Sequence, residues 1–323
     1  MNIDNGKSHW TEPELATLRS AAREFMSAHG VSQATTAREC GVGDSTLSQF
    51  LSGSYKGDLH QMAQKVSRWL SSKHEEAALA SRAPPTPTFT MTDTAEAVMG
   101  VLRSAQALAD MGLVTGPPGV GKTAAALQYQ ATGSRIAYAA ASPSISTVSG
   151  FLQALIRSRG ELARGRSTAS KLDLTTKARD LFGLGWLIIA DEAQHLETAA
   201  LEELRAIHDA TACGLVLMGN ETVLSRIEGK ERGAGYAQLF SRAGVRVRLK
   251  GSSERDINDV LSVMGVTEPG VVQVALSIGA KDNLRVVVKA LRRAIMTAQG
   301  ARENLNRAHV RLAYRQLGGT LAR

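Results

Sequence analysis

The sequence has few of the residues that mark secreted, zinc-binding or membrane-spanning proteins. Its 323 residues include two cysteines, Cys40 and Cys213, which lie far apart with no CxxC motif. This spacing argues against a disulfide framework and a zinc site, and it is typical of a reducing cytoplasm. No run of eighteen apolar residues occurs, and the first thirty residues contain Asp4, Glu12 and Glu14. We therefore expect neither a membrane span nor a secretion signal.

Aromatic residues are also scarce, at 4% of the chain, and charged residues make up 21%. Hydrophobic residues nevertheless reach 43%, which lies in the range of globular proteins and excludes disorder throughout. Since domains commonly span roughly 100–200 residues, the length predicts two or three folded units.

Positive charge is in excess but unevenly distributed. The chain carries a formal net charge of +8. Residues 81–180 and 251–323 each contain eleven Lys and Arg against six Asp and Glu, whereas residues 1–80 and 181–250 each carry a net −1. A polyanionic partner such as DNA would explain this localisation, and a merely basic surface would explain it equally well.

A stretch rich in proline and threonine divides the chain. Residues 77–92 include Pro84, Pro85 and Pro87, and prolines favour an extended backbone over a helix. We interpret this stretch as a linker. Residues 1–76 before it place apolar side chains at helical spacing, which predicts a small all-helical domain.

After the linker, residues 93–250 alternate short apolar runs with helical patterns. This alternation predicts an α/β domain in which helices cover a parallel sheet. Residues 251–323 keep helical patterns alone, which predicts a helical C-terminal domain. The predicted strands are residues 112–114, 135–141, 186–190, 215–218 and 245–249.

The most specific motif is GPPGVGKT at residues 116–123, which satisfies G-x-x-x-x-G-K-[ST] between a predicted strand and a predicted helix. In such a P-loop, backbone N–H groups surround the phosphates, Lys122 reaches the β and γ oxygens, and the Thr123 hydroxyl binds Mg²⁺. An incidental Gly/Pro loop is the alternative. We therefore expect ATP and Mg²⁺ as ligands. The predicted nucleotide contacts within the loop are Gly116, Pro117, Pro118, Gly119, Val120, Gly121, Lys122 and Thr123.

A second motif follows the predicted strand at 186–190, where Asp191 and Glu192 stand side by side. Ligands of open parallel sheets bind beyond the carboxyl ends of the strands, so both acids should reach the P-loop. Asp191 would share the Mg²⁺ with Thr123, and Glu192 would orient or deprotonate the attacking water. An acidic pair opening a surface helix is the alternative. Asn220, after the next strand, is a candidate to hold that water or the γ-phosphate, although Asn is also common in turns.

The order of these motifs, with LFSR at 239–242 and NLR at 283–285, resembles that of AAA+ ATPases. Within that superfamily, DEAQHL at 191–196, LEELR at 201–205 and GLVLMGN at 214–220 resemble the family of the phage Mu transposition protein B. The similarity covers most of the chain, including the N-terminal helical unit.

The resemblance implies a P-loop AAA+ domain over residues 93–250, with residues 251–323 as its helical lid. It implies that Arg242 is an arginine finger that reaches a neighbouring subunit's γ-phosphate, and that Arg285 is a lid contact to the nucleotide. A fixed guanidinium suits both roles because it stabilises charge on the transferred phosphoryl group. Other basic residues surround both arginines, so a solvated basic face is the alternative for each.

A cluster of basic residues offers a DNA contact. Residues 157–179 contain seven Lys and Arg against two acids, and small residues at 160–170 predict a loop between helices. Arg164, Arg166 and Lys171 are the preferred contacts. They would bind phosphates without reading bases, so binding should be largely independent of sequence and sensitive to salt. A solvated helix face is the alternative.

The middle of residues 1–76 predicts a helix-turn-helix. Gly41 would make the turn between two helices, and a second helix would present outward-facing polar side chains to DNA. The net −1 of this region is low for a DNA-binding unit, so a protein-docking helical unit is the alternative. The outward-facing candidates are Ser45, Thr46, Ser48 and Gln49.

Together these features predict an ATP-dependent, DNA-binding ATPase of DNA transposition. The family resemblance implies a homo-oligomer or helical filament on double-stranded DNA, formed mainly without sequence specificity. It further implies recruitment and stimulation of a transposase, with roles in target selection and target immunity, in the cytoplasm of a bacterial host cell. Two alternatives remain: an AAA+ helicase loader of DNA replication, and an ATP-switched regulator that binds specific DNA sequences.

Overall fold

The computed structural model describes residues 10–82, 89–161, 169–223 and 243–321. Contacts between residues divide the chain into two compact units, Met1–Pro84 and Pro85–Arg323. No apolar cluster of the described residues spans both units, so the two are described separately.

The N-terminal unit is all-helical, as the apolar spacing of residues 1–76 predicts. Thr11 and Glu14 form a reciprocal capping box at its first helix, and Gly41 adopts a φ of 65° in the turn between the second and third helices. The core side chains Leu47, Phe50 and Leu70 are fully buried. The helices are α1 (Glu12–His29), α2 (Gln33–Glu39), α3 (Asp44–Ser52) and α4 (Leu59–Arg82).

Helix α4 extends further than the sequence analysis predicts. It continues to Arg82, so residues 77–82 are helical where a linker was expected. The reason lies in the sequence Glu-Glu-Ala-Ala-Leu-Ala at 75–80, a run of strong helix formers. Pro84 is the first residue of the stretch that opposes a helix.

The second unit is built on a five-stranded parallel sheet with strand order β2-β3-β4-β1-β5. Each strand lies within about two residues of a predicted apolar run. Every described residue of β1, β3 and β4 is buried, as expected for central strands that are covered on both faces. The strands are β1 (Met111–Thr115), β2 (Ile136–Ala140), β3 (Leu187–Asp191), β4 (Gly214–Gly219) and β5 (Ala243–Arg248).

Side chains of the strands alternate between two apolar cores, one on each face of the sheet. In β3, Ile188 and Ala190 enter the first core, whereas Leu187 and Ile189 enter the second. The first core packs against α7 (Val148–Ser158), α8 (Lys171–Leu181) and α9 (Thr198–Thr211), and the second against α5 (Asp93–Leu108) and α6 (Lys122–Thr132). Because both faces of the strands are packed against helices, the position of the residue at the C-terminal end of each strand is fixed.

Helices that follow the sheet form a third core. A buried carboxylate joins them to the sheet domain, because Asp256 accepts hydrogen bonds from the backbone N–H and the hydroxyl of Thr94, at 3.1 and 2.7 Å. The helices are α10 (Glu254–Val263), α11 (Pro269–Lys281), α12 (Leu284–Ala301) and α13 (Arg307–Gln316).

None of the helices in the described ranges combines the length and apolar character needed to cross a membrane.

Candidate functional site

The loop at 116–123 connects β1 to α6, as its motif requires. Gly119 and Gly121 adopt φ values of 80° and 108°, a region that side-chain-bearing residues seldom occupy. These two glycines let the chain turn back so that α6 begins at Lys122. Backbone N–H groups at the start of a helix lack intrahelical partners and favour anions. The loop therefore has the form of a phosphate cradle.

Lys122 lies inside this cradle. Its side chain is buried, and its Nζ donates to the backbone carbonyls of Gly116 and Pro117 at 2.8 and 2.9 Å. Burial lowers the pKa of Lys122, while the nearby carboxylates of Asp191 and Glu192 act against that shift. A phosphate anion near the ammonium group would favour its charged form further.

Asp191 joins the loop to the neighbouring strands. It is buried at the end of β3, and its Oδ2 accepts hydrogen bonds from the hydroxyls of Thr123 at 2.6 Å and Tyr138 at 3.0 Å. Burial raises the pKa of Tyr138, and the charge and hydrogen bond of Asp191 raise it further. Tyr138, on β2, was not identified from the sequence, because the apolar run that contains it gives no sign that its hydroxyl reaches Asp191.

Thr123 and Asp191 fit a magnesium ion by their chemistry. Mg²⁺ prefers oxygen ligands and retains several waters, so it needs few protein ligands. The hydroxyl and the carboxylate already lie within hydrogen-bond distance of each other beside the phosphate cradle. These two residues would hold the ion.

Glu192 differs from its neighbour Asp191 in both exposure and backbone conformation. It is exposed and adopts φ 53° and ψ 36°, the left-handed region, which costs roughly 1–2 kcal/mol for a residue with a side chain. The Nε2 of Gln194 donates a hydrogen bond to Oε2 of Glu192. Gln194 was not singled out as a site residue, because the sequence assigns no role to a residue two positions after the acidic pair.

Asn220 lies directly after β4, the strand that pairs with both β1 and β3. Its backbone N–H donates to Oε1 of Gln194 at 3.3 Å, and its own Oδ1 accepts from the backbone N–H of Thr222 at 2.9 Å. The second bond is the turn chemistry expected of Asn. Because Oδ1 accepts this bond, Nδ2 is the atom of Asn220 that would donate to a phosphate or water.

The start of α12 lies against the phosphate cradle. The backbone N–H of Arg285 donates to the carbonyl of Gly119 at 3.2 Å, and a Cβ at Gly119 would lie 2.5 Å from Oδ1 of Asn283. The exposed side chain of Arg285 lines a cleft of about 260 Å³ between loop and lid. The cleft is lined by Pro118, Gly119, Gly121, Lys122, Thr123, Ala124, Glu192, Leu284, Arg285 and Val288.

A second cavity, of about 150 Å³, shares three residues with this cleft. Sequence analysis missed it, since it combines the end of the linker with α5, α6 and two lid helices, and no local motif joins these segments. Its apolar and hydroxyl-bearing surface suits a flat heteroaromatic group such as a nucleotide base. The lining residues are Phe89, Thr90, Thr92, Ala95, Gly121, Ala124, Val260 and Leu284.

The basic cluster at 157–179 is partly occupied by intramolecular contacts. The guanidinium of Arg159 lies 5.1 Å from the ring centre of Trp186. Lys177 donates to the backbone carbonyl of Glu161 at 2.5 Å, and Arg179 pairs with Glu203 at 3.7 Å. Arg159, Lys177 and Arg179 of the cluster thus contact other residues of this chain.

Lys171, a predicted DNA contact, is exposed at the first position of α8. The two other predicted contacts, Arg164 and Arg166, lie outside the described residues, as does the predicted arginine finger Arg242.

The polar candidates of the N-terminal unit lie together on α3. Ser45, Ser48 and Gln49 are exposed, and Thr46 is half-buried. Leu47 and Phe50 of the same helix are fully buried. Three of the four predicted outward-facing side chains are therefore exposed, and Thr46 is covered in part. A DNA-binding role for this helix stays a prediction.

Comparison with known proteins gives consistent results along the chain. A family model described as an AAA domain matches residues 106–227, and one described as the C-terminal part of the Mu B transposition protein matches residues 241–317. Among solved structures, Cdc6p from Pyrobaculum aerophilum is similar in fold, with a TM-score of 0.56 at 16% identity over 73% of this chain and 70% of that one. The expected P-loop AAA+ fold, with a parallel sheet covered by helices and an N-terminal helical region, is thereby confirmed.

Two relatives match nearly the whole chain. The ATP-dependent target DNA activator B of Escherichia phage Mu is 32% identical over 305 residues, which cover 94% of this chain and 96% of that protein. The protein of the same description from Escherichia phage D108 shows the same identity and coverage. Since both similarity and coverage extend from the helical N-terminal unit to the lid, the chain belongs to the Mu B family of AAA+ DNA transposition proteins.

Proposed function

We propose that this protein binds and hydrolyses ATP and uses that cycle to bind and release target DNA during transposition. The contact of Thr123 with Asp191, at 2.6 Å, carries the proposal. It brings the two nucleotide motifs together beside a cleft that the lid closes from the other side. The names of the relatives, ATP-dependent target DNA activators, support the connection to DNA.

In the proposed reaction, water attacks the γ-phosphorus of ATP, the bond to the bridging oxygen breaks, and ADP leaves with inorganic phosphate. Lys122 and the backbone of the loop hold the phosphates, and Glu192 accepts the proton of the attacking water. The donating amide of Asn220 orients that water or the γ-phosphate. Thr123 and Asp191 would hold Mg²⁺, which would supply positive charge to neutralise part of the phosphate charge. The second cavity receives the base.

The lid and a neighbouring subunit complete the site in this proposal. Arg285 lines the cleft and contacts the phosphates from the side of the C-terminal helices. Arg242 enters the site of the adjacent copy, which requires a homo-oligomer. An ATP-bound oligomer would then grow along double-stranded DNA as a filament, and hydrolysis would dissolve it.

Contacts to DNA are proposed at the segment between α7 and α8, through Arg164, Arg166 and Lys171, with α3 as a second surface. Guanidinium and ammonium groups bind phosphates without reading bases, so one filament could cover unrelated sequences. The DNA-bound protein would recruit and stimulate a transposase.

Footprinting on several unrelated duplexes, with and without ATP, tests the proposal. Uniform protection that grows with ATP is expected. One protected site at limiting protein would instead indicate a sequence-specific regulator, and loading of a hexameric helicase with no effect on a transposase would indicate a helicase loader.

Two variants make the footprinting experiment sharper. Glu192→Gln should keep ATP-dependent protection but hydrolyse ATP about 100-fold more slowly or worse. The double variant Arg164→Ala with Arg166→Ala should weaken protection equally on all duplexes and reduce the salt dependence by about two charge equivalents. Normal turnover in the first variant, or an unchanged salt dependence in the second, would contradict the corresponding assignment.

A further inference from the structure

The chain holds Glu192 through a residue that lies outside the nucleotide motifs. Gln194 donates from Nε2 to Oε2 of Glu192. Its Oε1 accepts the backbone N–H of Asn220 at 3.3 Å. One amide group therefore joins the acid at the end of β3 to the polar residue at the end of β4.

The two bonds fix the orientation of that amide. An oxygen must face the N–H of Asn220, and a nitrogen must face the carboxylate of Glu192, so a flipped amide would lose both bonds. The backbone of Gln194 is fixed as well. It belongs to a short 3-10 turn at Ala193–His195, and both Ala193 in that turn and Leu196 after it are buried in the first core.

Gly219 provides the space that Gln194 needs. A Cβ on Gly219 would lie 2.4 Å from Oε1 of Gln194 and 2.6 Å from a methyl carbon of Val223. The amide thus packs directly against the last residue of β4. A side chain at 219 would push away the flexible end of Gln194 and the Val223 methyl, whereas the N of Ala193, at 3.5 Å, would be in ordinary van der Waals contact.

Glu192 needs such a support for a physical reason. Its side chain is exposed and its backbone is left-handed, so the packing that holds buried Asp191 in place is missing. A proton acceptor must be held close to the productive geometry to be effective, and a misplacement of 1 Å can be costly.

We propose that Gln194 is a positioning residue for ATP hydrolysis. It binds one oxygen of Glu192 and so directs the other oxygen toward the attacking water. Its second hydrogen bond, to Asn220, keeps Glu192 and Asn220 in a fixed relative position. Gln194 itself does not line the nucleotide cleft. It acts through Glu192, and this inference rests on the proposed role of Glu192 in hydrolysis.

Steady-state ATPase kinetics and the affinity for a fluorescent ATP analogue test this role. Gln194→Met keeps the length of the side chain but removes both hydrogen bonds. It should lower kcat by about 10- to 100-fold, with KM and nucleotide affinity unchanged. His195→Ala is the matched control, since it removes an exposed side chain from the same turn and should leave kcat unchanged.

Gly219→Ala is the second variant. It leaves Gln194 in the chain but displaces its amide, and should reduce kcat in the same direction. It keeps the test decisive if Gln194→Met fails to fold, which thermal unfolding monitored by circular dichroism would reveal.

A double-variant cycle separates positioning from a general structural effect. In the Glu192→Gln background, Gln194→Met should cause no further loss, because its effect passes through Glu192. An equal loss in both backgrounds, a parallel loss of nucleotide affinity, or unchanged or faster turnover in Gln194→Met would overturn the inference. Normal turnover in Glu192→Gln alone would instead overturn the proposed role of Glu192.

Discussion

The N-terminal helical unit and the sheet-and-lid unit use their buried polar groups differently. In the N-terminal unit, the buried Arg19 lies over the ring of Phe50, 5.2 Å from its centre, and pairs with the exposed Glu12. In the second unit, buried Asp191 and Asp256 accept hydrogen bonds from residues far away in the sequence.

The difference shows where each unit places its chemistry. The N-terminal unit buries Arg19, Thr36 and Ser67 beside its apolar core, and it exposes the polar side chains of Ser45, Ser48 and Gln49 on α3. The second unit buries carboxylates and holds them with hydroxyls and backbone N–H groups, which fixes Asp191 beside the loop at 116–123 and joins the C-terminal helices to the sheet domain through Asp256. A polar group that is buried in this way is costly to leave without a partner.

The largest effect is expected for Phe50→Ala. The side chain is fully buried under Arg19, and loss of a buried phenylalanine costs about 3–5 kcal/mol of unfolding free energy. Thermal and denaturant unfolding should show destabilisation of the N-terminal unit, while ATP affinity stays unchanged. Phe151→Ala, in the first core of the second unit, is the matched variant and should destabilise the unit that holds the nucleotide cleft. Equal loss of ATP affinity in both variants would contradict the expectation that only the second unit binds ATP.

A smaller effect is expected for Asp256→Asn. Both carboxylate oxygens accept hydrogen bonds from Thr94 or Ser253, and an amide would turn N–H toward one of these donors. The variant should lose about 1–3 kcal/mol of stability at neutral pH. Denaturant unfolding curves would measure this loss in the second unit.

The same carboxylate predicts a pH dependence. Burial alone would raise the pKa of Asp256, but the hydrogen bonds from Ser253 and Thr94 outweigh it and hold the pKa below its ordinary value. Its stabilisation is therefore fully present above an unfolded-state pKa of about 3.9 and is lost as the pH falls through the lower folded value. The stability difference between wild type and Asp256→Asn should shrink in that acidic range. A difference that is constant from neutral pH to pH 2 would show that the carboxylate's charge is not what stabilises this contact.

The smallest effect on stability is expected for Ser48→Ala combined with Gln49→Ala. Both side chains are exposed on α3, so unfolding free energy should change by less than about 0.5 kcal/mol. If this surface contacts DNA, affinity measured by fluorescence anisotropy should fall by about 0.5–1.5 kcal/mol for each lost hydrogen bond. Unchanged DNA affinity would indicate that α3 presents its polar face to another partner or to solvent.

Much of the fold follows from local sequence patterns. Apolar runs identify the central strands β1, β3 and β4, because the interior strands of a covered parallel sheet are buried on both faces. The edge strands β2 and β5 coincide with the predicted runs at 135–141 and 245–249, although they are less completely buried. The glycines and the lysine of the loop at 116–123 identify the phosphate cradle, since backbone conformation and phosphate chemistry restrict the residues that fit there. The linker predicted from residue 77 overlaps the end of α4, because the helix-forming run before Pro84 continues the helix to Arg82.

Contacts between distant segments could not be obtained in this way. Tyr138 reaches Asp191 because β2 and β3 pair in parallel, with Ala140 opposite Asp191. Gln194 reaches both Glu192 and Asn220 because β3 and β4 end side by side. Neither partner is marked by a local pattern, since each is an ordinary polar residue until the sheet has formed.

The sequence by itself determined the order of helices and strands, the P-loop at 116–123 and the acidic pair at the end of β3. Tertiary structure decided which hydroxyls hold Asp191, which amide holds Glu192, and that the start of α12 covers the loop through Arg285 and Asn283. The physical reason is range. Backbone conformation and burial restrict the residue types at each position, so they can be inferred from the local sequence. A hydrogen bond between distant segments depends instead on strand register and helix packing.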